Sequence, residues 1–355
     1  MSGHVTQFLP AQQEIASSGE LAQAISAVDF RGAAATIIGL GNMGMEYLKV
    51  MEALQVKTIR VVGRSAKRLA PLRGREGIHL HEGGFESFSE AARPDELGII
   101  ATPIPALAAA ARKLLSLGFR RILIEKPVSL YSKEIEDLAE LFQRNHAVGV
   151  CAYNRVAYPS FLECRWRMIQ EGGATSCTYT FTEMVSSDWE RRFPQEELNR
   201  WGIANSLHPI GMAHGLIGAP QRWSGFRAGA LQWHPTGSVF VGSGLSERGV
   251  PFSYHADWSS TGRWSVEVHT ERSSYRLCPL EKLMRRQSAK GDWEEVPLHI
   301  FSPQVKVGFV EQVAALLDRK IQEMVPLVSL REAAALTRYA EDLFGYEKGK
   351  GWDNG

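Results

Sequence analysis

No run of this sequence comes near the roughly 18 consecutive apolar residues that cross a bilayer as a helix, so no membrane-spanning helix is expected. An excess of either charge sign is also missing. Forty Lys and Arg stand against 39 Asp and Glu, a formal net charge of +1, which gives no electrostatic reason for nucleic acid or an anionic membrane to be the main partner. Cysteine is scarce. Cys151, Cys164, Cys177 and Cys278 form no CxxC pair and no histidine cluster supports them, so neither zinc nor redox spacing is present. Reduced structural thiols in a cytoplasmic protein are the expectation. The opening MSGHVTQFLP lacks the basic-then-apolar pattern of a signal peptide. Internal repeats and low-complexity tracts are absent as well.

What the sequence does contain is the composition of a globular protein, 44% hydrophobic and 22% charged over 355 residues, enough for two domains. Leu21, Ala24, Ile25 and Val28 recur at helical spacing after Ser17 and Ser18, predicting a short amphipathic helix. Strand-like AAATIIGLGNMG (33–44), a helix over 43–54 and KTIRVVGRS (57–65) follow, then LGIIATP (97–103), RILIEKP (121–127) and VGVCAYN (148–154). This order predicts a parallel sheet with right-handed crossovers. Beyond 155 the pattern changes. After a helix over 158–172, period-two strands crowd together at 175–184, 237–244, 252–258, 263–270 and 273–278, and helices are expected over 304–323 and 329–344. The fold class is therefore α/β. An N-terminal Rossmann domain with its extension (1–150) precedes an α+β substrate-binding and oligomerisation domain (151–355) built on a large, mostly antiparallel open sheet.

Gly39, Leu40, Gly41, Asn42, Met43 and Gly44 spell GxGxxG between a strand and a helix. In a dinucleotide fold the first glycine makes the tight turn and the second admits the pyrophosphate. The third lets helix and strand pack closely, while the helix N-terminus faces the phosphate charge. The second strand ends at Gly63, Arg64 and Ser65, and no acidic residue occurs between Glu52 and Glu76. An acid there would hold the ribose 2′-hydroxyl of NAD. Arg64, Ser65 and Arg68, with Lys67, instead suit the 2′-phosphate of NADP, so NADP(H) is expected to be preferred over NAD(H).

With the fingerprint, the ATP tripeptide at 101–103, EKPVSL at 125–130, CAYNRVAYPSF at 151–161 and SLHPIGMAHGLIG at 206–218, the chain resembles the Gfo/Idh/MocA oxidoreductases over roughly residues 33–345. These are the relatives of glucose–fructose oxidoreductase and inositol 2-dehydrogenase. The resemblance implies that Thr102 and Pro103 line the cofactor and that Glu125 fixes the nicotinamide ribose. It further implies that Lys126 polarises the substrate oxygen, and that Tyr153, Asn154, Arg155 and Asn205 lie near substrate. His208 matches the family histidine that handles the proton. Ala204 stands where the family carries an aspartate, and Arg200, Trp201 and Gly202 replace most of a glycine-rich approach. His214 is expected in packing or at the surface, and no metal site is expected. Arg191 or Arg192, in the loop 186–201, could recognise hydroxyls or an acidic group.

The resemblance implies an NADP-dependent oxidoreductase moving hydride to or from a sugar, amino sugar, nucleotide sugar or polyol. An imine reductase, a redox-neutral enzyme of the same fold and a non-catalytic NADP-binding regulator are the alternatives. A homodimer or homotetramer joined through the C-terminal sheet is expected, on the argument that its second face carries uncovered apolar residues.

Overall fold

A computed structural model describes residues 15–186 and 188–349. The first fourteen residues of the N-terminal extension, and Ser187 in the loop 186–201, lie outside it. The chain falls into two compact units. One comprises Ala22–Asn154 and Phe301–Ala334, the other Arg155–Ile300 and Ala335–Lys348 with the described residues up to Leu21. The division therefore differs from a single boundary at 150, because the chain returns to its first unit at residue 301.

The first unit is built on a parallel sheet of β1 (Ala34–Ile38), β2 (Thr58–Gly63), β3 (Ile78–Glu82), β4 (Leu97–Ile100), β5 (Arg121–Ile124) and β6 (Val148–Cys151). Their spatial order is β6-β5-β4-β1-β2-β3, the doubly wound arrangement of a Rossmann domain. The central strands are buried apolar runs, as helices on both faces require: Ile37 and Ile38 sit beside Ile99 and Ile100, all with 1% exposure or less. The returning segment explains the two-part unit, since Val328–Ser329 pairs antiparallel with β6, Val328 opposite Cys151. The helix expected over 304–323 is two helices, Phe309–Leu317 and Arg319–Met324. They are separated at Asp318, whose carboxylate accepts from the Lys320 and Ile321 N–H groups as an N-cap.

In the second unit β7 (Ser176–Thr180), β8 (Pro220–Ala228), β9 (Val239–Ser246), β10 (Pro251–Asp257), β11 (Ser265–His269), β12 (Ser274–Leu277), β13 (Met284–Arg286) and β14 (Glu294–Glu295) form one sheet, ordered β14-β13-β12-β11-β7-β10-β9-β8. Every neighbouring pair is antiparallel except β7 with β10. One face is apolar and covered. Tyr179 lies against His214 and bonds the Tyr339 hydroxyl at 3.1 Å, and Phe181 meets Phe344 edge-on at 5.5 Å. His214 is thus a packing residue, and burial pushes its imidazole down to about 3.

The other face departs from expectation. It is mostly polar: Thr178 bonds Ser253 at 2.8 Å, Arg276 bonds Glu267 at 2.7 Å and His269 bonds Ser274 at 2.8 Å. Val241 and Leu245 interrupt it as half-buried residues, and Phe226, paired with Val241 at the β8–β9 edge, is 76% exposed. Among the described residues the apolar exposure of this face is concentrated at the β8–β9 edge and is not spread over the whole sheet.

Candidate active site

In the first unit the glycine fingerprint borders a cavity of about 970 Å³. Gly39 has φ +95°, and a Cβ there would meet the Ala101 carbonyl oxygen at 2.7 Å. A Cβ on Gly44 would lie 1.9 Å from the Gly39 carbonyl oxygen, so strand β1 and the helix Asn42–Ala53 touch backbone to backbone. Nothing approaches a Cβ on Gly41 within 4 Å, which leaves that side open to a ligand. The helix begins after Gly41 with no side-chain cap, so its first N–H groups remain for an anion. Gly44→Ala should displace this helix and weaken NADPH binding at least about tenfold, roughly 1.4 kcal/mol, by fluorescence titration. Unchanged affinity would contradict the packing argument.

Leu40, Asn42, Met43, Arg64, Ser65, Arg68, Thr102 and Pro103 also line this cavity, and Gly44 supports it from behind. The Thr102 Oγ1 is buried with no hydrogen-bond partner among the described residues. That orphaned hydroxyl and the glycine cradle fit a dinucleotide. One residue here escaped sequence reasoning: Glu86, from the short helix Gly84–Ser87, lies in the same wall as Arg64.

Glu125 and Lys126 follow β5. Glu125 is buried and accepts the Tyr47 hydroxyl at 2.7 Å. Burial raises its carboxyl above the ordinary value, opposed by the Tyr47 bond and the charges of Lys126 and Lys306. Lys306 was also missed. It arrives from the returning segment, exposed, with Nζ 3.7 Å from the Met43 sulfur and 5.3 Å from the Phe309 ring centre. Lys126 is half-buried, and the turn that carries it continues into Val128 at φ +73°. A β-branched residue there stores backbone strain on the order of 1–3 kcal/mol. Tyr153 is buried, and Asn154 is committed to the frame through its bond to the Val307 carbonyl at 3.1 Å.

The second unit carries His208 in the first turn of the helix Leu207–Ile217, 5% exposed, its ring centre 6.0 Å from that of Trp264. Trp264 borders a cavity of about 420 Å³ together with Arg155, Glu183 and Trp189. Arg191 and Arg192 are exposed and absent from its lining. Asn205 faces Glu183, its amide donating to both carboxylate oxygens at 2.8 Å. Glu183 also accepts Trp264 Nε1 at 2.8 Å, Trp201 Nε1 at 3.2 Å and Ser206 Oγ at 3.3 Å. Burial raises its carboxyl, and the same four donors pull the other way. Among the described residues no group of His, Cys, Asp and Glu could hold a metal ion, and no helix is long and apolar enough to cross a membrane.

Residues 34–153 match the oxidoreductase family with an NAD-binding Rossmann fold, GFO_IDH_MocA. Among solved structures, UDP-N-acetylglucosamine 3-dehydrogenase from Acidithiobacillus ferrooxidans is similar at TM-score 0.67 and 14% identity, over 89% of this chain and 97% of that one. An inositol dehydrogenase homologue from Azotobacter vinelandii, complexed with NADH and myo-inositol, gives 0.70 and 15%, over 88% and 95%. Aldose-aldose oxidoreductase from Caulobacter crescentus, complexed with glycerol, gives 0.70 and 14%, over 88% and 97%. No curated protein sequence matches the chain. The sheet order, the glycine cradle and the family match define an NAD(P)-dependent oxidoreductase. The match to the Gfo/Idh/MocA model lies in the dinucleotide-binding domain.

Proposed function

We propose that this protein transfers hydride between NADP(H) and a carbohydrate-like substrate: a sugar, amino sugar, nucleotide sugar or polyol. The cofactor half of the proposal is carried by one observation, the lining of the glycine cavity by Arg64, Ser65 and Arg68. Bound nicotinamide would supply the hydride acceptor or donor. Lys126 then hydrogen-bonds the oxygen that alternates between alcohol and carbonyl, stabilising its charge. His208 takes or returns the hydroxyl proton. Glu125, held by Tyr47, anchors the nicotinamide ribose. The solved relatives named above act on or hold sugars and polyols, which supports the substrate class.

NADP(H) should bind at least about tenfold tighter than NAD(H), and Arg64→Asp should reverse much of that difference. Equal affinities in titration calorimetry would remove the preference. Glu86 sharpens this test. Its carboxylate lies in the same wall, so Glu86→Gln should widen the preference for the phosphorylated cofactor. A screen of NADPH turnover over sugars, nucleotide sugars and polyols tests the reaction, and binding without any turnover favours the regulator reading. Assembly as a homodimer or homotetramer would use the polar face of the antiparallel sheet, and light scattering showing a monomer at micromolar concentration excludes it.

A further inference from the structure

Arg155 opens the second unit, and its guanidinium lies 4.9 Å from the Trp264 ring centre and 5.9 Å from that of Tyr158. Its Nε is buried without a hydrogen-bond partner, and no described residue accepts a hydrogen bond from any of its donors or pairs with its charge. Arginine presents five N–H donors in one plane, and a ring stacked on that plane satisfies none of them. Arg155 is half-buried and its Nε is sealed from solvent, and a buried donor left unanswered calls for a ligand or ordered water.

A carboxylate lines the same cavity and still does not pair with it. Glu183 is occupied by the two indole N–H groups, the Asn205 amide and the Ser206 hydroxyl. These bonds use the roughly four lone-pair sites that an ionised carboxylate offers. Arg263 adds a second cation at the exposed rim, and Glu281 an anion there. The charge left uncommitted inside is that of Arg155.

We propose that this cavity receives an acidic group of the substrate, a carboxylate or a phosphate, on the Arg155 guanidinium. This rests on the carbohydrate reading above and narrows it to anionic sugars. A planar guanidinium meets either group with two parallel hydrogen bonds. A cavity of about 420 Å³ has room for a monosaccharide. Trp264 is shared: Arg155 lies 4.9 Å from its ring centre and the His208 ring centre is 6.0 Å from it, so the indole stands in contact range of both the subsite cation and the imidazole.

The test is titration calorimetry on the full chain saturated with NADPH, using a panel of hexuronates, hexose 6-phosphates and the parent hexoses. At least one acidic set should bind about tenfold or more tightly than its parent hexose, and the better set identifies carboxylate or phosphate. Arg155→Gln should erase the difference between each acid and its parent hexose, with far-UV circular dichroism confirming the fold. Arg155→Lys, which keeps charge and stem but loses the fork, should weaken only the acidic ligands, several-fold. Hexoses that bind and turn over as well as their acids, or an acid preference untouched in both variants, would overturn this inference and leave the carbohydrate reading standing. Failure of all three sets to bind or turn over would remove both.

Discussion

Lys126→Ala is expected to lower kcat by about 10²–10⁴-fold, the usual scale for a positioned group acting on a developing oxyanion. The position of the residue supports an effect of that size. Strand β5 is buried from Ile122 to Ile124 and is fixed on both sides, Ile124 beside Ile100 of β4 and Cys151 of β6. The sheet therefore delivers the Glu125–Lys126 turn at the carboxyl ends of its strands, where open α/β sheets bind ligands. Affinity for NADPH should change little, because Lys126 is absent from the lining of the glycine cavity. A fall in affinity equal to the fall in turnover would mean that Lys126 only holds the cofactor. His208→Ala should also be severely impaired. If both variants keep near-normal turnover on the true substrate, the proposed chemistry is wrong.

How much of this was legible in the sequence depended on how local the cause was. The fingerprint could be read because the turn, the close helix contact and the following strand all fall between residues 34 and 63. Arg64, Ser65 and Arg68 were likewise in place, since the end of the second strand fixes them. Strand β8 escaped because it is an edge strand with little burial, so Pro220–Ala228 shows no period-two alternation. Lys306 escaped because 263 residues separate it from Met43, and nothing in its neighbourhood marks a site. The apolar-face argument was too broad for a different reason, since exposure there is concentrated at the β8–β9 edge around Phe226. Period two predicts two faces for a strand but not what covers each, and here Ser, Thr, Glu and Arg pair with one another on the open one.

Glu183 is the largest omission, and Glu183→Gln should have the largest combined effect in the second unit. The family resemblance asks for an acid at 204 and finds Ala204. The structure instead brings a carboxylate from just beyond β7 to Asn205 and Ser206, the residues immediately before the His208 helix. Its donors lie between 18 and 81 residues away, so no motif announces it. A glutamine amide offers one acceptor and turns an NH₂ group toward donors that have nothing to accept, leaving at least one indole or amide N–H unpaired. The loss should be about 1–3 kcal/mol in denaturant unfolding. Turnover should fall by about tenfold or more while NADPH affinity holds, because Trp264 and the start of the His208 helix lose their common anchor. A pH readout separates this role from simple packing. Burial raises the Glu183 carboxyl, so the folded protein holds that proton to higher pH than the unfolded chain does. The contribution is full below the unfolded value and is lost as pH rises through the folded one. The glutamine variant should lack that slope in thermal unfolding. An unchanged slope, together with unchanged stability and turnover, would show that the carboxylate anchors nothing.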